Sequence, residues 1–150
     1  MTIRVEPLAP ADFEPWIALR AQLWPHHSPE ELRRDAVELM ARECSAVFVA
    51  SDGTGLAGFA EATLRVDYVN GTSTSPVTFL EGLYVVPRYR RQGVARSLCD
   101  AVERWGARAG CTEFASDSLL ENEDGRAAHA ALGFIETERV AYFLKSIRSR

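Results

Sequence analysis

The chain has 150 residues, 47% hydrophobic and 25% charged, with a net charge of −4. That length and balance predict one globular domain spanning 1–150, with a core of ordinary size. No apolar run approaches a membrane span, and an acidic chain does not seek nucleic acid, though it attracts a cationic small molecule. The three cysteines, Cys44, Cys99 and Cys111, are odd in number and lack metal-ligand spacing. Met1–Pro7 carries no signal-peptide core, so a reducing cytoplasm is the expected compartment.

In chain order, Ile3-Arg4-Val5 reads as a first strand. Residues 11–24 follow helical spacing through Phe13, Trp16, Ile17, Leu23 and Trp24. Pro15 falls near the first turn, where its missing N–H is tolerated. Pro25-His26-His27 breaks the pattern. Ser28-Pro29-Glu30-Glu31 then starts a second helix to about Arg42, with Ser as cap and Pro at the first helical position. Ala46–Ala50 and about Leu56–Val66 are strands around the turn Ser51–Gly55. A polar loop, 67–76, carries Tyr68, Asn70 and Gly71. Beyond the central stretch, Glu113–Asp117 is a short strand. Asn122 caps a helix that runs through Leu132 and ends at Gly133, and Phe134–Leu144 reads as strand again, either one strand or two separated by the polar Glu136–Arg139. The order β-α-α-β-β-β-α-β-α-β predicts an α/β (α+β) chain with a single mixed, mostly antiparallel sheet flanked by helices.

The central stretch, Val77–Gly110, carries the chemistry. An apolar strand through Val86 stops at Pro87. The turn Arg88-Tyr89-Arg90-Arg91-Gln92-Gly93-Val94-Ala95 follows, then an amphipathic helix containing Arg96 and ending near Gly110. Strand, basic glycine turn and helix start aim backbone N–H groups at an anion, and a diphosphate is the economical choice. Gly82 inside the strand marks a bulge. On a period of two, Glu81 shares a face with Phe79, Leu83 and Val85. It therefore either faces a wet cleft, with Asp117 in reach, or pairs with an arginine such as Arg65.

The segment Arg90–Ala95 resembles the Arg/Gln-x-x-Gly-x-Gly/Ala loop of the GCN5-related N-acetyltransferases (GNAT), and the element order resembles theirs over nearly the whole chain. The resemblance implies that Arg90, Arg91, Gln92, Gly93, Val94, Ala95 and Arg96 hold the pyrophosphate of acetyl-coenzyme A. It also implies that the backbones of Leu83 and Val85 meet its pantetheine and thioester. Asn122 through Phe134 resembles a family segment in which the Asn contacts the cofactor and a Tyr protonates the departing thiolate. His129 stands in the Tyr place, so two readings stay open: proton donor, or a histidine packed beside the cofactor. Leu23-Trp24-Pro25, Asp67–Gly71, Phe79–Gly82, Ala115–Asp117 and Leu132–Val140 are similar to one branch of the aminoglycoside 6′-N-acetyltransferases. That likeness implies an antibiotic site lined by Trp24, Tyr68, Glu81, Asp117 and Glu138, acetyl transfer to a 6′-amine that disarms the antibiotic, and a homodimer whose C-terminal strand region contributes to the partner's sheet or site; no metal is expected, since His26 and His27 have no third ligand at suitable spacing.

Polycationic sugars suit a site of carboxylates and aromatics. Glu81, directly or through a water, is the expected acceptor of the amine proton. Cys99 and Cys111 read as packing residues. Two other readings keep their place: an acetyltransferase for a polyamine or a peptide N-terminus, and a non-catalytic acyl-coenzyme A binder.

Overall fold

A computed structural model describes residues 2–148. They divide into two compact units, Met1–Asp117 and Ser118–Arg150. The first unit opens with β1 (Arg4–Pro7), then α1 (Phe13–Leu23) and α2 (Pro29–Ala41). The Ser28 hydroxyl caps α2 by accepting the Glu31 N–H at 3.2 Å, and Glu30 and Glu31 place negative charge at the positive end of the helix. Next come β2 (Ser45–Ser51), β3 (Leu56–Arg65) and β4 (Val77–Val85), then α3 (Val94–Arg108) and the two-residue β5 (Phe114–Ala115). The sheet order is β1-β2-β3-β4-β5, antiparallel except for the β4–β5 pair. The mixed, mostly antiparallel sheet expected from the sequence is therefore present.

The two sheet faces carry different helices because β3 alternates. Phe59 turns toward α1 and α2 and joins a core with Trp16, Ile17, Leu19, Ala36 and Leu39. Gly58 turns the other way, against Leu98 of α3. Trp16 and Phe59 are fully buried, each contributing roughly 2–3 kcal/mol by leaving water.

In β4 the register against β3 shifts by one: Leu80 faces Ala62, but Gly82 faces Glu61. Glu81 is the extra residue. This bulge corrects the strict period of two. Phe79 and Glu81 lie on the α1/α2 face, yet beyond the bulge it is Gly82 and Tyr84 that continue that face, while Leu83, paired with Ala60, and Val85, paired with Gly58, turn toward α3.

The second unit contains α4 (Glu123–Ala131), capped by the Asn122 side-chain oxygen Oδ1, which accepts from the Gly125 N–H at 3.0 Å. The strand expected over Phe134–Leu144 is not formed in the described residues. Its apolar stretches are there, but a strand also needs a neighbour for its N–H and C=O groups. Tyr142, Phe143, Leu144 and Ile147 are 84–96% exposed.

Candidate active site

The strand–turn–helix runs as the sequence implies, and the backbone explains it. Pro87–Tyr89 makes a single 3₁₀ turn after β4. Gly93, at φ 79°, then caps α3 in the left-handed region, where a Cβ would be strained. Arg91 also takes a positive φ of 63°, a local strain of the kind that collects at ligand sites. The first N–H groups of α3 have no carbonyl of their own helix to reach, and no protein atom lies within 4 Å of where a Gly93 Cβ would stand. Space, amides and dipole together fit a phosphate.

Two side chains of the turn have other employment. Arg90 Nε donates to the Val85 carbonyl at 2.9 Å, and its guanidinium lies over the Tyr84 ring. Gln92 Nε2 donates to the Arg88 carbonyl at 3.0 Å. In this way both side chains brace the turn. The hydroxyl of Tyr89 ties the turn to the β2–β3 hairpin by donating to Asp52. That bond, with those from Thr54, holds the Asp52 carboxyl well below the usual carboxylate range.

Beside the turn, β4 and β5 pair only at Thr78–Phe114 and Phe79–Ala115. Val86 donates to Ala57 on β3, so on a period of two the backbone groups of Val85 and Leu83 point to the opposite edge, which no strand among the described residues occupies. The end of β4–β5 pairing at Phe79 thus leaves main-chain donors for an extended ligand.

On the α1/α2 face lies a cavity of about 320 Å³. Trp24 and Glu81 line it together, as the sequence implies. Also lining it are Asp35 and Glu38 of α2, Arg42 just past its end, His27, Arg20 of α1 and Glu61 of β3. Glu81 pairs with Arg65, the internal partner considered from the sequence, and still borders the cavity. Its Oε1 accepts from Thr63 at 2.7 Å and from Arg65 at 2.9 Å, while Oε2 accepts from Arg65 at 3.0 Å. With three donors on Oε1 and one on Oε2, spare acceptor capacity sits on Oε2.

Sequence reasoning missed the buried pair beneath. Arg20 and Glu61 are 5% and 1% exposed. Arg20 Nε and Nη2 donate to the two Glu61 oxygens at 2.7 and 3.1 Å, Trp16 Nε1 donates at 3.0 Å, and Arg20 Nη1 donates to the Leu32 carbonyl at 2.8 Å. Burial pushes the Glu61 carboxyl up, opposed by the donors of Arg20 and Trp16. The available signal was a single charge inside the apolar run Leu56–Thr63. Asp35 and Glu38 were missed too, although they share a helix stripe with the buried Leu32 and Leu39.

Other expected residues lie elsewhere. Asp117 is exposed just past β5 and is not among the residues lining the cavity. Tyr68 is 72% exposed in its loop. The nearby Glu113 carboxylate anchors that loop by accepting from the Ser73 and Thr74 amides at 3.0 and 2.8 Å, and from the Thr74 hydroxyl. Glu138 is exposed in the second unit. There His129 Nδ1 lies 2.6 Å from the Gly125 carbonyl. A carbonyl only accepts, so Nδ1 carries the proton. Burial pushes the Cys99 thiol up to about 11, which removes it as a nucleophile.

The model of the acetyltransferase (GNAT) family matches residues 9–134. The chain belongs to the GNAT acetyltransferases. Within that family it is 48% identical over 133 residues to the aminoglycoside N(6′)-acetyltransferase type 1 of Salmonella enteritidis, covering 88% of this chain and 91% of the other. It is 43% identical to the protein of the same name from Acinetobacter baumannii, over 97% and 99% of the two chains. Among solved structures, AAC(6′)-Iy in complex with the bisubstrate analogue CoA-S-monomethyl-acetylneamine superposes with a TM-score of 0.92 at 42% identity, covering 98% of this chain and all of that one. In this GNAT chain the bulged β4 leads through the turn to the amide-lined start of α3, and the acidic cavity lies on the α1/α2 side of the same strand.

Proposed function

We propose that this GNAT acetyltransferase transfers the acetyl group of acetyl-coenzyme A to the 6′-amine of aminoglycosides. The 48% identity to a protein named for that activity, across nearly the whole of both chains, carries the substrate. The geometry adds a cavity where a polycation meets Glu81, Asp35 and Glu38, with the Trp24 ring to stack on a sugar face.

The diphosphate sits over Arg91, Gly93, Val94, Ala95 and Arg96, with Arg88 adding charge. The pantetheine follows the free edge of β4, and an N–H of Leu83 or Val85 polarises the thioester carbonyl, an effect commonly worth a few kcal/mol. Glu81 takes the amine's proton through Oε2, directly or through a water. The neutral amine nitrogen then bonds to the carbonyl carbon and gives up its remaining extra proton to solvent, the C–S bond breaks, and the thiolate leaves and is protonated. Attack is direct, within a ternary complex, and positioning supplies most of the acceleration because a thioester is already activated. For the thiolate we retain His129 as donor. With Nδ1 committed to Gly125, it donates from Nε2 only as the imidazolium. Asn122 as a cofactor contact, and Tyr68, Asp117 and Glu138 as further antibiotic contacts, rest on the family pattern.

A thiol-release assay tests this with acetyl-coenzyme A and aminoglycosides with and without a 6′-amine, alongside spermidine and peptides. Turnover confined to 6′-amines is the expected outcome. Turnover of spermidine or peptides alone supports the other amine substrates. Cofactor binding with no transfer to any amine points to a binding module.

We also propose that the chain is a homodimer and works in the cytoplasm. Val140, Tyr142, Phe143, Leu144 and Ile147 expose apolar surface along a segment with no strand partner among the described residues, as a segment reserved for a second copy would. The three free cysteines suit a reducing compartment. Sedimentation velocity should show a dimer, and Phe143→Asp with Leu144→Asp should convert it to a monomer.

A further inference from the structure

We infer that Gly82 and the buried Arg20–Glu61 pair are positioning residues for amine selection: they clamp the Trp24 indole at one height over the β4 bulge. The inference rests on the reading above, in which Trp24 faces the amine. Trp24 stands just past the end of α1, with φ −121° and ψ 69°, where a helix no longer dictates where a side chain goes. Its ring is nonetheless held from two sides, with Phe59 tilted alongside at 6.5 Å.

From the strand side, a Cβ on residue 82 would come within 2.8 Å of Trp24 Cη2 and 3.1 Å of Cζ2. Glycine weakens a strand, so the close approach of the ring is the physical reason for it here. From the helix side, the Arg20 guanidinium lies 4.8 Å from the Trp24 centroid and 5.4 Å from that of Trp16. Arg20 has no freedom to swing away, because its N–H groups are engaged by Glu61 and the Leu32 carbonyl.

The pairing has an electrostatic consequence. An arginine supporting the wall of a site for polycations would repel them, and Glu61 cancels that charge within 3.1 Å. Arg20 can then serve as a rigid planar support without opposing the substrate.

The test is steady-state kinetics with acetyl-coenzyme A and tobramycin, plus indole 15N–1H spectra. Gly82→Ala should raise the tobramycin KM at least fivefold, leave the acetyl-coenzyme A KM within twofold, and move the Trp24 Nε1 signal but not that of Trp105. Adding Gly82→Ala to Trp24→Ala should change nothing further, and Trp24→Phe should restore much of what Gly82→Ala loses, since Phe lacks the crowded outer atoms. Glu61→Gln should raise the tobramycin KM more at low salt than at high salt, whereas loss of packing alone gives no salt dependence. If Gly82→Ala fails to fold, it must fold together with Trp24→Ala; failure of both overturns the inference. Additive losses from Gly82→Ala and Trp24→Ala overturn it too, as does a parallel rise in the cofactor KM. If the unaltered chain turns over no aminoglycoside, the substrate reading falls, and the Trp24 signal still decides the clamp.

Discussion

The turn that opens α3 and the cavity between α1, α2 and the sheet are built by opposite means. At the turn the working groups belong to the main chain: a left-handed Gly93, the first amides of α3 and the free edge of β4. Side chains such as Arg90, Gln92 and Tyr89 brace it from behind. At the cavity the working groups are side chains, and other side chains hold two of them: Glu81 by Arg65 and Thr63, and Trp24 by Arg20, itself held by Glu61. A diphosphate is the same in every reaction, so a fixed backbone suffices. An amine has to be chosen among many, and side chains can be exchanged without rebuilding the fold.

That contrast breaks most visibly at Glu61. Glu61→Ala leaves Arg20 buried without its counter-charge and should cost about 3–5 kcal/mol, read as a lower midpoint in urea unfolding. Replacing both partners together, Arg20→Met with Glu61→Leu, should cost less than that single change. At the turn, Gly93→Ala meets open space but the wrong φ, a strain of about 1–2 kcal/mol. If the turn reorganises to relieve it, the acetyl-coenzyme A KM should rise about tenfold while the amine KM holds, because 1.4 kcal/mol is a factor of ten. Glu81→Gln should do the reverse, raising the amine KM or cutting turnover by roughly tenfold through loss of a charge-assisted hydrogen bond, with cofactor affinity measured by calorimetry unchanged. A rise in both KM values for either variant would erase the distinction.

The smallest effect concerns Glu113 and the 67–76 loop. Bonds from the Thr74 hydroxyl and the Ser73 and Thr74 amides lower its carboxyl below the ordinary 4.5. A lowered folded value contributes stability fully present above 4.5 and lost as pH falls through the folded value. The stability gap between the unaltered chain and Glu113→Gln should be widest at neutral pH. It should close in acid, as read by thermal melts between pH 7 and pH 3.

Most elements were legible because their signals are local. Ser28-Pro29 starts α2, Gly110 and Gly133 follow helix ends at positive φ, and Pro87 closes β4. The bulge was legible from Gly82, but not its consequence: one inserted residue reverses which side chains share a face from Leu83 onward. Arg20, Asp35 and Glu38 were not legible as cavity residues, since on their own helices they read as ordinary surface charges. The C-terminal strand was expected from its apolar stretches on either side of Glu136–Arg139, which give a strand-like composition but not a partner.

By itself the sequence determined the order of elements through α4 and the glycine turn that opens α3, because each follows from spacing along a few residues. Only the tertiary structure decided what those residues lean on. The Arg20–Glu61 bond spans 41 positions and the Glu81–Arg65 bond 16. Contacts between such distant positions depend on how α1 and α2 lie across the sheet, and no local pattern encodes that packing.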